Sequence, residues 1–207
     1  MAMDVNSADK WEADYLGGSD GWDLGKPTPV FRNLLANRGL PPGRMLVVCA
    51  GRGHDAREFA RHGFQVTAVD FSPSAVREMR RLAGPDTQME ILQQDLFSLS
   101  HKMDGTFDYV LEYTCYCAID PKRRAEFVDL VARLLKPGGM YISLAFPLTQ
   151  QQGGPPFAVT VSELLRLFQT RGFKLIEREK PTDSVSQRRG AEELLIFQKK
   201  ESATPYH

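Results

Sequence analysis

The run Met45-Leu46-Val47-Val48-Cys49-Ala50 opens into Gly51-Arg52-Gly53-His54-Asp55-Ala56, and a second apolar run, Phe64 to Val69, ends in Asp70, nineteen residues after Gly51. An apolar stretch of strand length that gives way to glycines and then to a helix-forming segment begins a strand, turn, helix, strand unit. A backbone that turns so sharply and approaches a ligand has little room for Cβ atoms, which is the task glycine performs. A carboxylate about 20 residues beyond such a turn is placed to hydrogen-bond a nucleotide ribose. The spacing therefore predicts a nucleotide-like ligand near Gly51, Gly53 and Asp70.

The remaining chain repeats this alternation. A helix from Val30 to Arg38 follows Pro27-Thr28-Pro29 and stops at Gly39, and the first strand covers Arg44 to Cys49. Asp55 to His62 reads as a helix, Gln65 to Val69 as strand two, and Ser72-Pro73-Ser74 as the cap of a helix reaching Ala83. Strands three to five are expected at Met89–Gln93, Thr106–Leu111 and Met140–Ala145, with a long helix from Pro121 to Leu135 stopped by Lys136-Pro137-Gly138-Gly139. A helix over Val161–Arg171 precedes two strands with no helix between them, Phe173–Glu179 and Glu193–Lys199, which suits an antiparallel edge pair. The fold class expected is α/β: one domain over residues 1–207, with a doubly wound, mostly parallel seven-stranded sheet and an antiparallel terminal strand. Residues 202–207 read as a disordered tail.

Composition narrows the partners. With 42% apolar content in 207 residues, the chain has material for one sizeable core. Its 26 basic and 26 acidic residues cancel, so no global field draws it to nucleic acid or an anionic membrane, and a small-molecule substrate is expected. The 3 cysteines include Cys115 and Cys117, which as strand neighbours point to opposite faces, so neither a disulfide framework nor a metal site is expected. No run approaches the roughly 18 apolar residues of a membrane span, and the N-terminus has no basic start followed by an apolar core. A cytoplasmic monomer is the resulting expectation.

Read literally, Gly51-x-Gly53-x-x-Ala56 also satisfies the dinucleotide fingerprint, so this motif leaves NAD and S-adenosylmethionine both open. The carboxyl ends of successive strands decide between them. Gly51, Asp70, Asp95 and Glu112 follow strands one to four and share one rim, where ligands of open α/β sheets bind. Three carboxylates there suit ribose hydroxyls, an adenine amino group and an ammonium better than a pyrophosphate.

Through Val47–Ala56, Asp70, Gln94-Asp95-Leu96-Phe97 and Leu134-Leu135-Lys136-Pro137-Gly138-Gly139, the sequence resembles the class I S-adenosylmethionine-dependent methyltransferases. Trp22-Asp23-Leu24-Gly25-Lys26-Pro27-Thr28-Pro29, Glu112-Tyr113-Thr114-Cys115-Tyr116-Cys117-Ala118-Ile119 and Gly153-Gly154-Pro155-Pro156-Phe157 resemble the thiopurine methyltransferase superfamily, most of all its thiol, thiocyanate and halide methyltransferases. The likeness runs from about Trp11 to Lys199. Three places depart from the pattern: Val48-Cys49-Ala50 before the first glycine, Glu112 where relatives often carry Asp before the Tyr-Thr segment, and Phe146-Pro147 where relatives often carry Tyr-Pro.

The resemblance implies S-adenosylmethionine as methyl donor, S-adenosylhomocysteine as product and a small soft nucleophile, a thiol or hydrogen sulfide, as acceptor. It implies a helical lid over residues 1–38, with Trp11, Tyr15, Trp22 and Leu24 against the cofactor. Gly51, Gly53, Asp70, Phe71, Ser72, Asp95, Leu96 and Glu112 complete the implied cofactor set. Tyr113 is the catalytic candidate, and Phe146, Phe157 and Arg188 the acceptor walls. The same cofactor with halide, thiocyanate, a selenium or tellurium anion or a nitrogen heterocycle is the alternative. Readings from other classes are an NAD-dependent oxidoreductase and a non-catalytic cofactor-binding protein.

Overall fold

The computed structural model describes residues 4–85 and 87–201. Its strands are β1 (Arg44–Val48), β2 (Gln65–Asp70), β3 (Glu90–Gln93), β4 (Phe107–Tyr113), β5 (Leu135–Ala145), β6 (Phe173–Glu179) and β7 (Glu193–Lys199). They form one sheet in the order β3-β2-β1-β4-β5-β7-β6. Strands β1 to β5 pair in parallel, and β7 runs antiparallel to both β5 and β6. The order reverses between β1 and β4, which opens a crevice beyond their carboxyl ends. The expected fold class is the one observed.

Helices cover both faces. Arg44 excepted, β1 is buried along its length, as a central parallel strand between two helical layers must be. On one face pack α2 (Pro29–Asn37), α3 (His54–Arg61) and α4 (Pro73–Ala83), contributing Phe31, Phe59 and Met79 to a core with Tyr109 and Ile142. On the other lie α5 (Arg124–Leu134) and α6 (Val161–Gln169), where Phe168 stacks on Tyr141 and Phe197 at centroid distances of 4.5 and 4.7 Å. Pro73 at the first turn of α4 and the Ser72 Oγ that accepts from the Ala75 amide at 3.2 Å start that helix where the sequence predicts.

Two differences in strand length matter for the site. β4 continues through Glu112 and Tyr113, which the sequence places after the strand, because both residues pair onward with Ser143 and Leu144 of β5. Adjacent strand residues face opposite sides, so Glu112 and Tyr113 cannot serve one ligand together. β5 starts at Leu135 rather than Met140: the Pro-Gly-Gly segment is a bulge within it, between the Phe107–Leu135 and Tyr109–Met140 pairs.

The cysteines correct a third expectation. Parallel pairing of β1 with β4 brings the two strand exits side by side, and Cys49 and Cys115 form a disulfide with Cα atoms 5.4 Å apart. Cys117 is free and buried. Of the helical segment expected over residues 1–38, residues 1–3 lie outside the described residues, and the rest contains α1 (Ala8–Gly17), a strap from Gly18 to Thr28, and α2. The tail expected at 202–207 lies outside the described residues. Among the described residues no helix is long and apolar enough to cross a membrane.

Candidate active site

The turn after β1 is held by its own backbone. Cys49, Gly51 and Gly53 have φ of 46°, 55° and 69°, a left-handed sequence that lifts the chain over the end of β2. The Gly51 amide donates to Asp70 Oδ2 at 2.9 Å, and the Ser72 amide donates to Asp70 Oδ1 at 3.0 Å. Burial pushes the Asp70 carboxyl above its ordinary range, although these amides favour its charged form. At Gly53 a Cβ would stand 2.5 Å from Met79 Cγ, so its glycine serves the packing of α3 on α4.

Over this turn lies a cavity of about 640 Å³, within the range of small-molecule and cofactor sites. Asp70, Phe71, Asp95, Leu96 and Phe97 line one end; Cys117, Phe146, Pro155, Pro156 and Arg188 line the other; Trp11, Tyr15 and Trp22 belong to its roof. The Trp22 ring meets Trp11 and Tyr15 edge-on at centroid distances of 5.5 and 5.4 Å.

The roof is tied down at several points. Glu12 of α1 accepts from Ser72 Oγ at 2.6 Å, from the Ser74 amide at 2.8 Å and from Ser74 Oγ at 2.6 Å. Arg52 pairs with Asp20 and Asp23 of the strap, and Arg188 Nη2 donates to the Trp22 carbonyl at 2.8 Å. Burial opposes ionisation of Asp23, but the His54 ring 3.2 Å away and hydrogen bonds from Arg52 and the Gly25 amide outweigh it and hold the carboxyl well below its ordinary value. The strap ends where Thr28 donates its amide and hydroxyl to Asp55 at 2.6 and 2.8 Å.

Of the residues singled out in the sequence, Trp11, Tyr15, Trp22, Asp70, Phe71, Asp95, Leu96, Phe146 and Arg188 meet at this cavity. Leu24, Gly51 and Tyr113 instead line an adjoining recess of about 70 Å³, which shares Tyr15, Trp22, Cys49 and Thr114 with the cavity. Four residues are not brought to either wall. Gly53 is a packing position, and the Ser72 hydroxyl is engaged by Glu12 and the start of α4. Phe157 turns back, its amide bonded to the Cys117 carbonyl at 2.7 Å, so Pro155 and Pro156 form that wall.

Glu112 is the fourth, only 1% exposed. It accepts from the Ser143 hydroxyl and, at 3.0 Å, from the Tyr116 amide, a structural tie between β4, β5 and the turn that follows β4. Burial raises its carboxyl pKa against those hydrogen bonds.

Two residues of this region are not among the site candidates singled out in the sequence. Cys117 lines the cavity with its thiol pushed up to about 12 by burial, too basic to be a ready nucleophile. Glu192, at the end of the loop before β7, lies 3.1 Å through both carboxylate oxygens from the Tyr113 hydroxyl that donates to it. Burial raises Glu192 to about 7, against the pull of Tyr113 and the Arg188 charge.

Arg188 completes this end. Its guanidinium is stacked 5.1 Å from the Tyr113 centroid and 4.9 Å from that of Phe146, and the side chain is buried. While Nη2 holds the Trp22 carbonyl, Nη1 has no hydrogen-bond partner among the described residues. The cavity thus has one end with the carboxylates of Asp70 and Asp95 beside the Arg123 guanidinium on Phe97, an aromatic roof, and a second end of apolar walls with the buried Arg188.

Comparison with known proteins gives a consistent picture. The family model described as thiopurine S-methyltransferase matches residues 6–204. A probable thiol methyltransferase 2 of Arabidopsis thaliana is 36% identical over 195 residues, spanning 93% of this chain and 85% of that protein. Thiocyanate methyltransferase 1 of Brassica oleracea is 33% identical over 187 residues, spanning 89% and 82%. Among solved structures, the Burkholderia thailandensis 1,6-didemethyltoxoflavin-N1-methyltransferase with bound S-adenosylhomocysteine superposes with a TM-score of 0.73 at 23% identity, covering 94% of this chain and 87% of that one.

Proposed function

The chain belongs to the thiopurine S-methyltransferase family, and from that premise we propose that it transfers the methyl group of S-adenosylmethionine to hydrogen sulfide or a small thiol. It is an S-adenosylmethionine-dependent methyltransferase acting on a soft nucleophile. What supports the assignment of roles is the arrangement of the cavity, with the Asp70 and Asp95 carboxylates at one end and the buried Arg188 guanidinium among apolar walls at the other.

Its donor set fits the cofactor. Asp70, with its carboxylate fixed by two amides, is assigned to the ribose hydroxyls, and Asp95, Leu96 and Phe97 to the adenine. The bound cofactor supplies a methyl group on a positively charged sulfur. Trp11, Tyr15 and Trp22 present aromatic faces and edges that exclude water, and a face beneath a sulfonium contributes roughly 0.5 to 2 kcal/mol by cation–π attraction. Positive charge on sulfur is lost during transfer, so alignment in a dry pocket contributes more than a strong acid.

Arg188 holds the incoming sulfur. The thiolate rather than the thiol is the nucleophile, and a fixed cation raises the fraction present as thiolate. Phe146, Pro155 and Pro156 give apolar contact to the substituent, and Tyr113 orients the nucleophile from the recess. The same Arg188 also suits thiocyanate, the anion in the Brassica relative's name, and this is the second reading. The reading takes the chain as a cytoplasmic monomer.

The test is S-adenosylhomocysteine formation by mass spectrometry, with sulfide, methanethiol, an aromatic thiol, thiocyanate, iodide and a nitrogen heterocycle offered in turn. Turnover led by sulfide or a thiol is expected. Turnover led by thiocyanate selects the second reading, and product from none of them rejects both.

A further inference from the structure

The acceptor end contains a buried acid that the proposed reaction has not used. Glu192 precedes β7 and has its carboxylate on the Tyr113 hydroxyl, at 3.1 Å through each oxygen. Tyr113 packs edge-on against Phe31 at 6.0 Å, which fixes its ring, while its other surroundings are the Arg188 guanidinium and the recess. That recess, about 70 Å³, has room for a small molecule and opens against the same Cys49, Thr114, Tyr15 and Trp22 that line the cavity. A nucleophile the size of hydrogen sulfide, or the sulfur of a larger thiol, reaches Tyr113 where the recess meets the cavity, beside the Cys49 and Thr114 that line both.

Resting on the methyl transfer proposed above, we propose that Glu192 accepts the proton of a neutral thiol through the Tyr113 hydroxyl, so that the enzyme uses protonated thiols as well as anions. In this step the thiol S–H bond breaks and its proton goes to the Tyr113 oxygen as the Tyr113 proton passes to Glu192. The freed sulfur lone pair forms the bond to the methyl carbon. The bond from that carbon to the donor sulfur breaks, leaving its electron pair on the thioether product. Glu192 then returns the proton to solvent.

The surroundings of Glu192 suit this task. From β4 it faces Tyr113; from the loop before β7 it faces Arg188, Asp183 and Ser184. Burial and Asp183 raise its carboxyl, Tyr113, Arg188 and Ser184 lower it, and the balance near 7 is where a general base combines availability with strength. Burial together with the Glu192 charge raises the Tyr113 phenol, so Tyr113 stays protonated and relays rather than stores the proton. Arg188, whose buried Nη1 has no hydrogen-bond partner among the described residues, leaves its charge to favour the thiolate.

Thiocyanate has no proton to lose, which separates the roles. In Glu192→Gln the ratio of kcat/KM for methanethiol to that for thiocyanate should fall by about 10²-fold, the low end of general-base effects. The acid limb of the wild-type thiol profile, near pH 7, should give way to one that follows ionisation of methanethiol itself, well into the alkaline range. Glu192→Asp should recover part of the ratio. An unchanged ratio, with both nucleophiles slowed alike, or an acid limb near 7 that persists in Glu192→Gln, overturns the proposal while leaving methyl transfer intact. Wild-type enzyme that turns over neither nucleophile overturns both.

Discussion

The two ends of the cavity are built by different means. At the cofactor end, Asp70 is positioned by amides of Gly51 and Ser72, which lie in the turns directly after β1 and β2. At the acceptor end, Arg188 and Glu192 come from the loop before β7, Phe146 and Pro155 from the segment after β5, and the roof from α1 and the strap. The first end is backbone geometry at a switch point, which many acceptors can share. The second is an assembly of side chains from distant segments, where specificity is free to change without touching the sheet.

That division makes Asp70 the position of largest expected effect. Asp70→Ala removes the partner of two amides and the proposed ribose ligand together, so S-adenosylhomocysteine affinity should fall by about 1 to 3 kcal/mol in calorimetry. Affinity equal to wild type would break the comparison at its strongest point. Arg188→Gln should act on the other end: the KM for thiocyanate should rise about tenfold, or about 1.4 kcal/mol. If cofactor affinity changes more than that KM does, Arg188 belongs to the roof rather than to the nucleophile.

Glu112 sharpens the contrast from within one strand. Because it ties β4 to Ser143 and Tyr116, Glu112→Gln should cost about 1 kcal/mol in denaturant unfolding and leave S-adenosylhomocysteine affinity within about twofold. Loss of affinity without loss of stability would return Glu112 to the cofactor. The smallest effect is expected at the roof: Glu12→Gln weakens the tie to Ser72 and Ser74, and stopped-flow dissociation of S-adenosylhomocysteine should quicken a few-fold, about 0.5 to 1 kcal/mol. An unchanged rate would mean that α1 does not gate release.

The same division explains what the sequence could reveal. Gly51 and Asp70 were legible because strand period, turn glycines and carboxylate spacing are local signals, and the alternation of strands and helices followed from the same patterns. Glu112 was misplaced because the end of β4 is set by its pairing with β5, and two more strand residues turned the side chain away from the crevice. The Cys49–Cys115 disulfide depends on the β1–β4 register, which spacing along the chain does not encode. Glu192 had no signal at all, since its meaning comes from Tyr113, 79 residues away. Phe157 illustrates the limit of a recognised segment: the motif is at the wall, yet Pro155 and Pro156 rather than its aromatic ring face the cavity.

The central claim is that one end of the cavity delivers a methyl group and the other presents a sulfur nucleophile to it. The most direct measurement follows the methyl itself, with S-adenosylmethionine carrying a trideuteromethyl group, methanethiol as acceptor and mass spectrometry of the volatile product. The account predicts dimethyl sulfide that retains the complete label, formed together with an equal amount of S-adenosylhomocysteine. Cofactor bound at the Asp70 end without labelled thioether would contradict it.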